Sequence, residues 1–223
     1  MPHRHPLQAG LPLVLLMLSA CSSTQPNRYE EIASSSQLRQ NHDARSDRVP
    51  FSMAKPVSWG AYTRVMLDPV TIYGGRDSQF EDISIDERRE LSEYMFNAFS
   101  EQLNQRFRLV NTPQPATLRI RLTLTGAKPN TAVVSTVTRF DLVGAPYNAV
   151  QGIRGKEGAF IGSVMYSVEI YDVSTGELQG AYVAKQFPNA MNVAATIGRL
   201  KAARVGIDKG AEELVAMLKQ AGS

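Results

Sequence analysis

The chain has 223 residues, with 24 Lys and Arg against 21 Asp and Glu, three His and a single Cys. A near-balanced charge with no Lys/Arg block and no interleaving of aromatic and basic residues excludes a nucleic-acid surface. One cysteine excludes a disulfide framework.

Residues 1–20 have the three parts of a secretory signal. Arg4, between His3 and His5, supplies the charged start. Leu11 to Leu18 form an apolar core broken only by Pro12, and Ser19 and Ala20 are small. The core is too short to span a bilayer, which takes about 20 apolar residues. Leu18-Ser19-Ala20-Cys21 resembles the bacterial lipobox. The resemblance implies cleavage between Ala20 and Cys21, a diacylglyceryl group on the Cys21 thiol and an acyl group on its new amine. Stable anchoring takes about two acyl chains, so these suffice. Ser22 and Ser23 follow the anchor with no Asp, which implies the outer membrane, facing the periplasm.

Residues 21–58 read as a lipidated N-terminus and flexible tether, rich in Ser, Asn, Gln, Arg and Asp and poor in large apolar residues. A coil of this length spans roughly 30–40 Å. Tyr29, Ile32 and Leu38 are able to dock back on the domain, and Val49, Phe51 and Trp59 more readily so.

Residues 59–223 fit one domain, burying about 70% of its unfolded surface. "AYTRVMLDPVTIY" (61–73) reads as a strand, with Pro69 marking an edge or a bulge. The stretch 84–107 reads as a helix. Ser84 and Glu87 have capping-box spacing, and Leu91, Met95, Ala98, Phe99, Leu103 and Phe107 form an apolar stripe. "TLRIRLTLTG" (117–126) alternates cleanly, with Leu118, Ile120, Leu122 and Leu124 inward and Arg119 and Arg121 on a wet face. Residues 127–160 read as an irregular insert, rich in Gly after a β-branched run; a loop this long is usually functional or mobile. The segments 161–173 and 177–187 flank Ser174-Thr175-Gly176 and read as a hairpin. Residues 192–219 read as a long helix with Val193, Ile197, Leu200, Ile207, Ala211, Leu214 and Leu218 in register. Gly198, Gly206 and Gly210 weaken it by about 1 kcal/mol each. The expected class is α+β, a mostly antiparallel sheet of about four to five strands with two main helices. The order is strand, helix, strand, insert, hairpin, helix.

Catalytic constellations are hard to assemble from these residues. Past the signal the only histidine is His42, in the tether, which argues against a His-based triad or metal site. Glu81-Asp82, Asp86-Glu87 and Glu212-Glu213 suit caps or solvated helix faces. Asp68, Asp141, Glu157 and Glu169 show no spacing that singles out a glycosidase pair. The expectation is a non-enzyme with no metal and no cofactor other than the acyl groups on Cys21. Arg119 and Arg121 are candidate partner contacts, although alternate arginines also solubilise an exposed sheet face. Arg139 and Arg154, with Lys156, make the insert locally basic and are further candidates.

The lipobox at Cys21, "VMLDPVTIY" (65–73), "LNQRFRLVNTPQPATLRIRLTLT" (103–125) and "VEIYDVSTGELQGAYVAKQ" (168–186), in that order, resemble an uncharacterised family of Gram-negative lipoproteins, domain of unknown function 3313. The resemblance brings no catalytic residues. The anchor, the long tether and the lack of a catalytic constellation lead to the expectation of an outer-membrane-anchored periplasmic accessory module that binds an envelope protein or a cell-wall component. The alternative is a carrier or sensor of a small apolar ligand, with Phe140, Tyr147 and Phe160 lining a pocket under the insert.

Overall fold

The computed structural model describes residues 24–43, 46–130, 161–189, 192, 195 and 197–220. Among the described residues, nine strands and two α-helices follow one another. Strands β1 (Arg39–Gln40) and β2 (Phe51–Ala54) precede β3 (Arg64–Leu67), β4 (Thr71–Ile72) and β5 (Gln79–Phe80). Helix α1 (Ile85–Asn104) leads through β6 (Arg108–Leu109) to the long β7 (Thr117–Lys128). Strands β8 (Ser163–Asp172) and β9 (Leu178–Gln186) form the hairpin, and helix α2 (Lys201–Lys219) closes the order.

The sheet is larger than expected and of mixed direction, not a mostly antiparallel one of four to five strands. Its order is β1-β2-β9-β8-β7-β3-β6, with β4 and β5 also bonded to β7. Pairing is antiparallel from β1 to β7, but β3, β4 and β5 run parallel to β7, and β6 parallel to β3. The physical reason is the crossover through α1, which returns the chain to the sheet in its original direction. The expected strand 61–73 is split around Pro69, which has no N–H to give a ladder, into β3 and β4.

Local signals account for the elements nearest expectation. Ser84 caps α1: its Oγ accepts the Glu87 N–H at 3.2 Å, while Glu87 Oε2 accepts the Ser84 N–H at 2.8 Å. In the hairpin turn, Asp172 Oδ1 accepts the N–H groups of Ser174 and Thr175 at 2.7 and 3.1 Å. Gly176 there takes φ 72°, a left-handed conformation that costs glycine nothing. Helix α2 starts at Lys201, later than expected. Ile197 therefore precedes the helix and is exposed instead of lying on its buried face, and Val193 lies outside the described residues.

Both helices cover one face of the sheet. Leu91, Met95, Phe99 and Leu103 of α1 and Ile207, Ala211 and Leu214 of α2 join Leu118, Ile120, Leu122 and Leu124 of β7 and Val164, Tyr166, Val168 and Ile170 of β8 in one core. Phe99 meets Tyr166 edge-on at 5.9 Å.

The opposite face is wet only in part: Arg119 and Arg121 stay accessible, but much of the rest is covered. The stretch expected as a tether is folded from residue 24 onward: 24–38 lies across this face as a strap, and β1 and β2 extend the sheet past β9. Tyr29, Ile32 and Leu38 of the strap pack with Tyr73, Leu178, Ala181 and Val183 in a second core. The cover explains why β8 is buried on both faces over most of its length.

Candidate functional site

Beyond the strap's edge a groove remains open on this face, about 560 Å³ in volume. Its floor comes from β7, whose alternation turns Arg119, Arg121 and Thr123 away from the helices. One wall is the Asp68–Gly74 link around β4, and the other is Glu31, Ile32 and Ala33 of the strap. Asp68 joins the two arginines. Arg119 Nε donates to both its carboxylate oxygens at 2.9 Å, and Arg121 Nε donates to Oδ2 at 3.2 Å. The arginine side chains remain 40% and 42% exposed, whereas Asp68 is half as accessible. This arrangement keeps both guanidiniums aligned along the groove.

The groove's far side is polar as well. Glu169 of β8 lines it and accepts the Ser34 N–H at 2.7 Å. Arg121 lies over the Tyr171 ring at 5.1 Å. Burial, with the Glu169 carboxylate beside it, pushes the Tyr171 hydroxyl above its ordinary range. Tyr73 donates to Asp77 Oδ1 at 2.6 Å, and burial together with that bond raises it to about 12. Both phenols are neutral at physiological pH; Tyr73 lines the groove as a hydrogen-bonding group, while Tyr171 supports Arg121 from outside its lining. The site thus offers fork-shaped donors, carboxylate acceptors and hydroxyls within one concavity.

A second groove, about 380 Å³, lies on the helix side at the hairpin end. Val49, Met53, Trp59, Ile170 and Met217 make it largely apolar, with Arg48 and Glu213 at its margin.

Of the residues singled out from sequence, Arg119 and Arg121 are brought together in the polar groove. Asp68 and Glu169 join them there, although no spacing marks either. Tyr171, Ser34 and the apolar groove around Trp59 and Met217 were not anticipated. The only sequence signal for Asp68 is its position before the strand-breaking Pro69. Ala20, Cys21, Arg139, Arg154, Lys156, Phe140, Tyr147 and Phe160 lie outside the described residues. Of the insert only residues 127–130 are described, and Ala127 and Lys128 belong to β7. Asn130 Nδ2 donates to the carbonyls of Ala195 and Gly198 at 2.8 and 2.7 Å, and Asn130 Oδ1 accepts the Gly162 N–H at 2.9 Å. Among the described residues no group of three His, Cys, Asp or Glu is placed to hold a metal ion, and no helix is long and apolar enough to cross a membrane.

Among solved structures the chain is similar to the PelC dodecamer from Paraburkholderia phytofirmans, at 11% identity and TM-score 0.38, covering 72% of this chain and 94% of that one. It is also similar to protein XCC0632 from Xanthomonas campestris, at 9% identity and TM-score 0.34, covering 70% and 83%. A third similarity is to the hypothetical protein CT253 from Chlamydia trachomatis, at 12% identity and TM-score 0.34, covering 70% and 95%. No curated protein matches the chain. Residues 28–214, from the strap to the last turns of α2, match the family described as protein of unknown function DUF3313, and the chain belongs to that family.

Proposed function

We propose that this chain is a non-enzymatic accessory lipoprotein, anchored in the outer membrane through acyl groups on Cys21, that binds an envelope partner from the periplasmic side. The observation that carries the reading is the Arg119–Asp68–Arg121 cluster in an open groove. Two half-exposed guanidiniums held in register by one carboxylate are preorganised donors, and binding them costs little side-chain ordering. Glu31 adds an acceptor and Thr71 and Thr123 add hydroxyls, so the groove suits a polar peptide segment of an envelope protein or a cell-wall component better than a simple anion. Asp68 is engaged by both arginines and Glu169 by the Ser34 N–H, so these carboxylates serve architecture and recognition in this reading, not acid–base chemistry.

In-cell crosslinking of the acylated protein, read by mass spectrometry, tests the proposal. The expected result is a stoichiometric envelope partner that is lost in a secreted Cys21→Ala form and weakened in the Arg119→Ala/Arg121→Ala pair. A partner captured equally by the double variant overturns the role of the groove. No partner in any form overturns the accessory reading.

The apolar groove beside Trp59 and Met217 favours a second reading, a carrier or sensor of a small apolar ligand. Co-purifying lipid in native mass spectra, displaced in a Met217→Arg variant, would support it. Lipid-free protein whose Trp59 emission does not change on adding fatty acid would argue against it.

A further inference from the structure

The strap decides where the membrane lies relative to the fold. Thr24 is bound at one end of the sheet, where β7 and β9 finish and β8 begins. Its hydroxyl donates to Glu81 Oε1 at 3.1 Å, and its carbonyl accepts from Lys185 Nζ at 2.8 Å. Glu81 is itself tied to β7 through its N–H to the Ala127 carbonyl, 2.9 Å. Asn27 continues the attachment by donating to Gln79 Oε1 at 2.9 Å. Only Ser22 and Ser23 separate Thr24 from Cys21. Three residue steps reach at most about 11 Å, so a lipid on Cys21 holds this end of the sheet at the bilayer, and no 30–40 Å tether exists.

The same end carries a second, independent feature. Among the described residues the exposed large apolar side chains are Ile85, 61% exposed, and Ile197, 73% exposed. Ile85 opens α1 and Ile197 precedes α2, and both helices begin at this end. Arg199 ties the two loops together: it donates from Nε to Glu87 Oε1 at 2.6 Å and from Nη2 to Asp82 Oδ2 at 3.0 Å, and Nη2 also bonds the Asp82 carbonyl. Ile85, at the start of α1, and Ile197, in the loop before α2, therefore project from the surface nearest the anchor.

We infer that this end of the molecule is a bilayer-contacting surface, with Ile85 and Ile197 seated in the headgroup–acyl boundary beside the lipidated Cys21. Apolar side chains at that depth add to the anchor and fix the domain's orientation. The hairpin turn at 173–176 points into the periplasm, and the arginine groove opens sideways. The inference rests on the acylation of Cys21 assigned under the proposed function.

The test uses the acylated mature protein, extracted from cells and reconstituted in phosphatidylethanolamine–phosphatidylglycerol vesicles with brominated acyl chains. In a Trp59→Phe background, Ile197→Trp places the sole indole at the inferred contact and Thr175→Trp places it at the hairpin end. The expected result is a loss of emission for the first and none for the second. Flotation of the vesicles separates the two possible failures. Protein that floats with an unquenched indole at 197, or with equal quenching at both positions, overturns the orientation and leaves the anchor standing. Protein that lacks acyl groups by mass and does not float overturns both.

Discussion

Glu169, in the middle of β8, accepts the backbone N–H of Ser34 at 2.7 Å across 135 positions of sequence. Both residues are buried, so the bond pins the strap to the sheet where water does not compete.

Replacing Glu169 with Ala leaves the Ser34 N–H buried without its acceptor. A buried donor left unsatisfied costs about 1–3 kcal/mol. The expected outcome is a loss of that size in urea unfolding, with new protease cleavage between residues 28 and 43. Glu169→Gln, whose amide oxygen still accepts, should recover most of it.

Tyr29 is fully buried although its backbone sits at φ 56°, a conformation that costs a bulky residue roughly 1–3 kcal/mol. Packing offsets the cost: the ring meets Tyr73 edge-on at 5.3 Å, and its hydroxyl donates to Gln79 Oε1 at 2.6 Å. Tyr29→Ala should destabilise by about 3 kcal/mol, and Tyr29→Phe by only about 1 kcal/mol. Thermal unfolding of the two variants checks the ratio.

Helix α2 runs through Gly206 and Gly210 without a break, because both glycines mark close approach to the hairpin. A Cβ on Gly206 would meet the Gln186 carbonyl oxygen at 2.9 Å and Val164 Cγ1 at 3.0 Å, and one on Gly210 would overlap the Tyr166 hydroxyl. Alanine is the better helix former by about 1 kcal/mol, yet overpacking against backbone costs about 1–3 kcal/mol. Gly206→Ala should therefore lower the urea midpoint. A rise would mean that the helix can lift off the hairpin at little cost.

Asp172 has its carboxyl held down to about 2, first by Ser174 and then by the Tyr62 hydroxyl at 2.7 Å. A folded-state value below the ordinary one adds stability above about pH 4, and that contribution fades as pH falls through about 2. Discounted for the solvated turn, it is about 1 kcal/mol. Wild type should exceed Asp172→Asn by that amount at pH 7, with the difference narrowing below about pH 4 and closing as pH falls through about 2.

What was legible in the sequence was local. Ser84 with Glu87, Asp172 before Gly176, and the alternation of Leu118 to Leu124 each act within a few residues, so their patterns sit in the sequence itself. The strap carries no such pattern. Tyr29, Ile32 and Leu38 are scattered among polar residues, and they are buried because the outward face of β8 and β9 requires a cover. That face holds Ser163, Ser167, Glu169 and Lys185, and their polarity makes a covered surface look wet. Strands β4 and β5, two residues each, are too short to show a period and exist by pairing with β7. Arg119 and Arg121 were visible as a candidate face, but Asp68, which organises them, lies about fifty positions earlier, and long-range ion pairs leave no trace in spacing.

The strap also sets an order of events in the life of the chain. Residues 24–38 are synthesised first, yet the surface they cover is completed only by the hairpin of β8 and β9, residues 163–186. The earliest segment must wait for one made far later. Its closure spans most of the chain, a non-local step of the kind that slows folding. Until then Tyr29, Ile32 and Leu38 travel exposed, and the second core can close only after most of the chain has emerged.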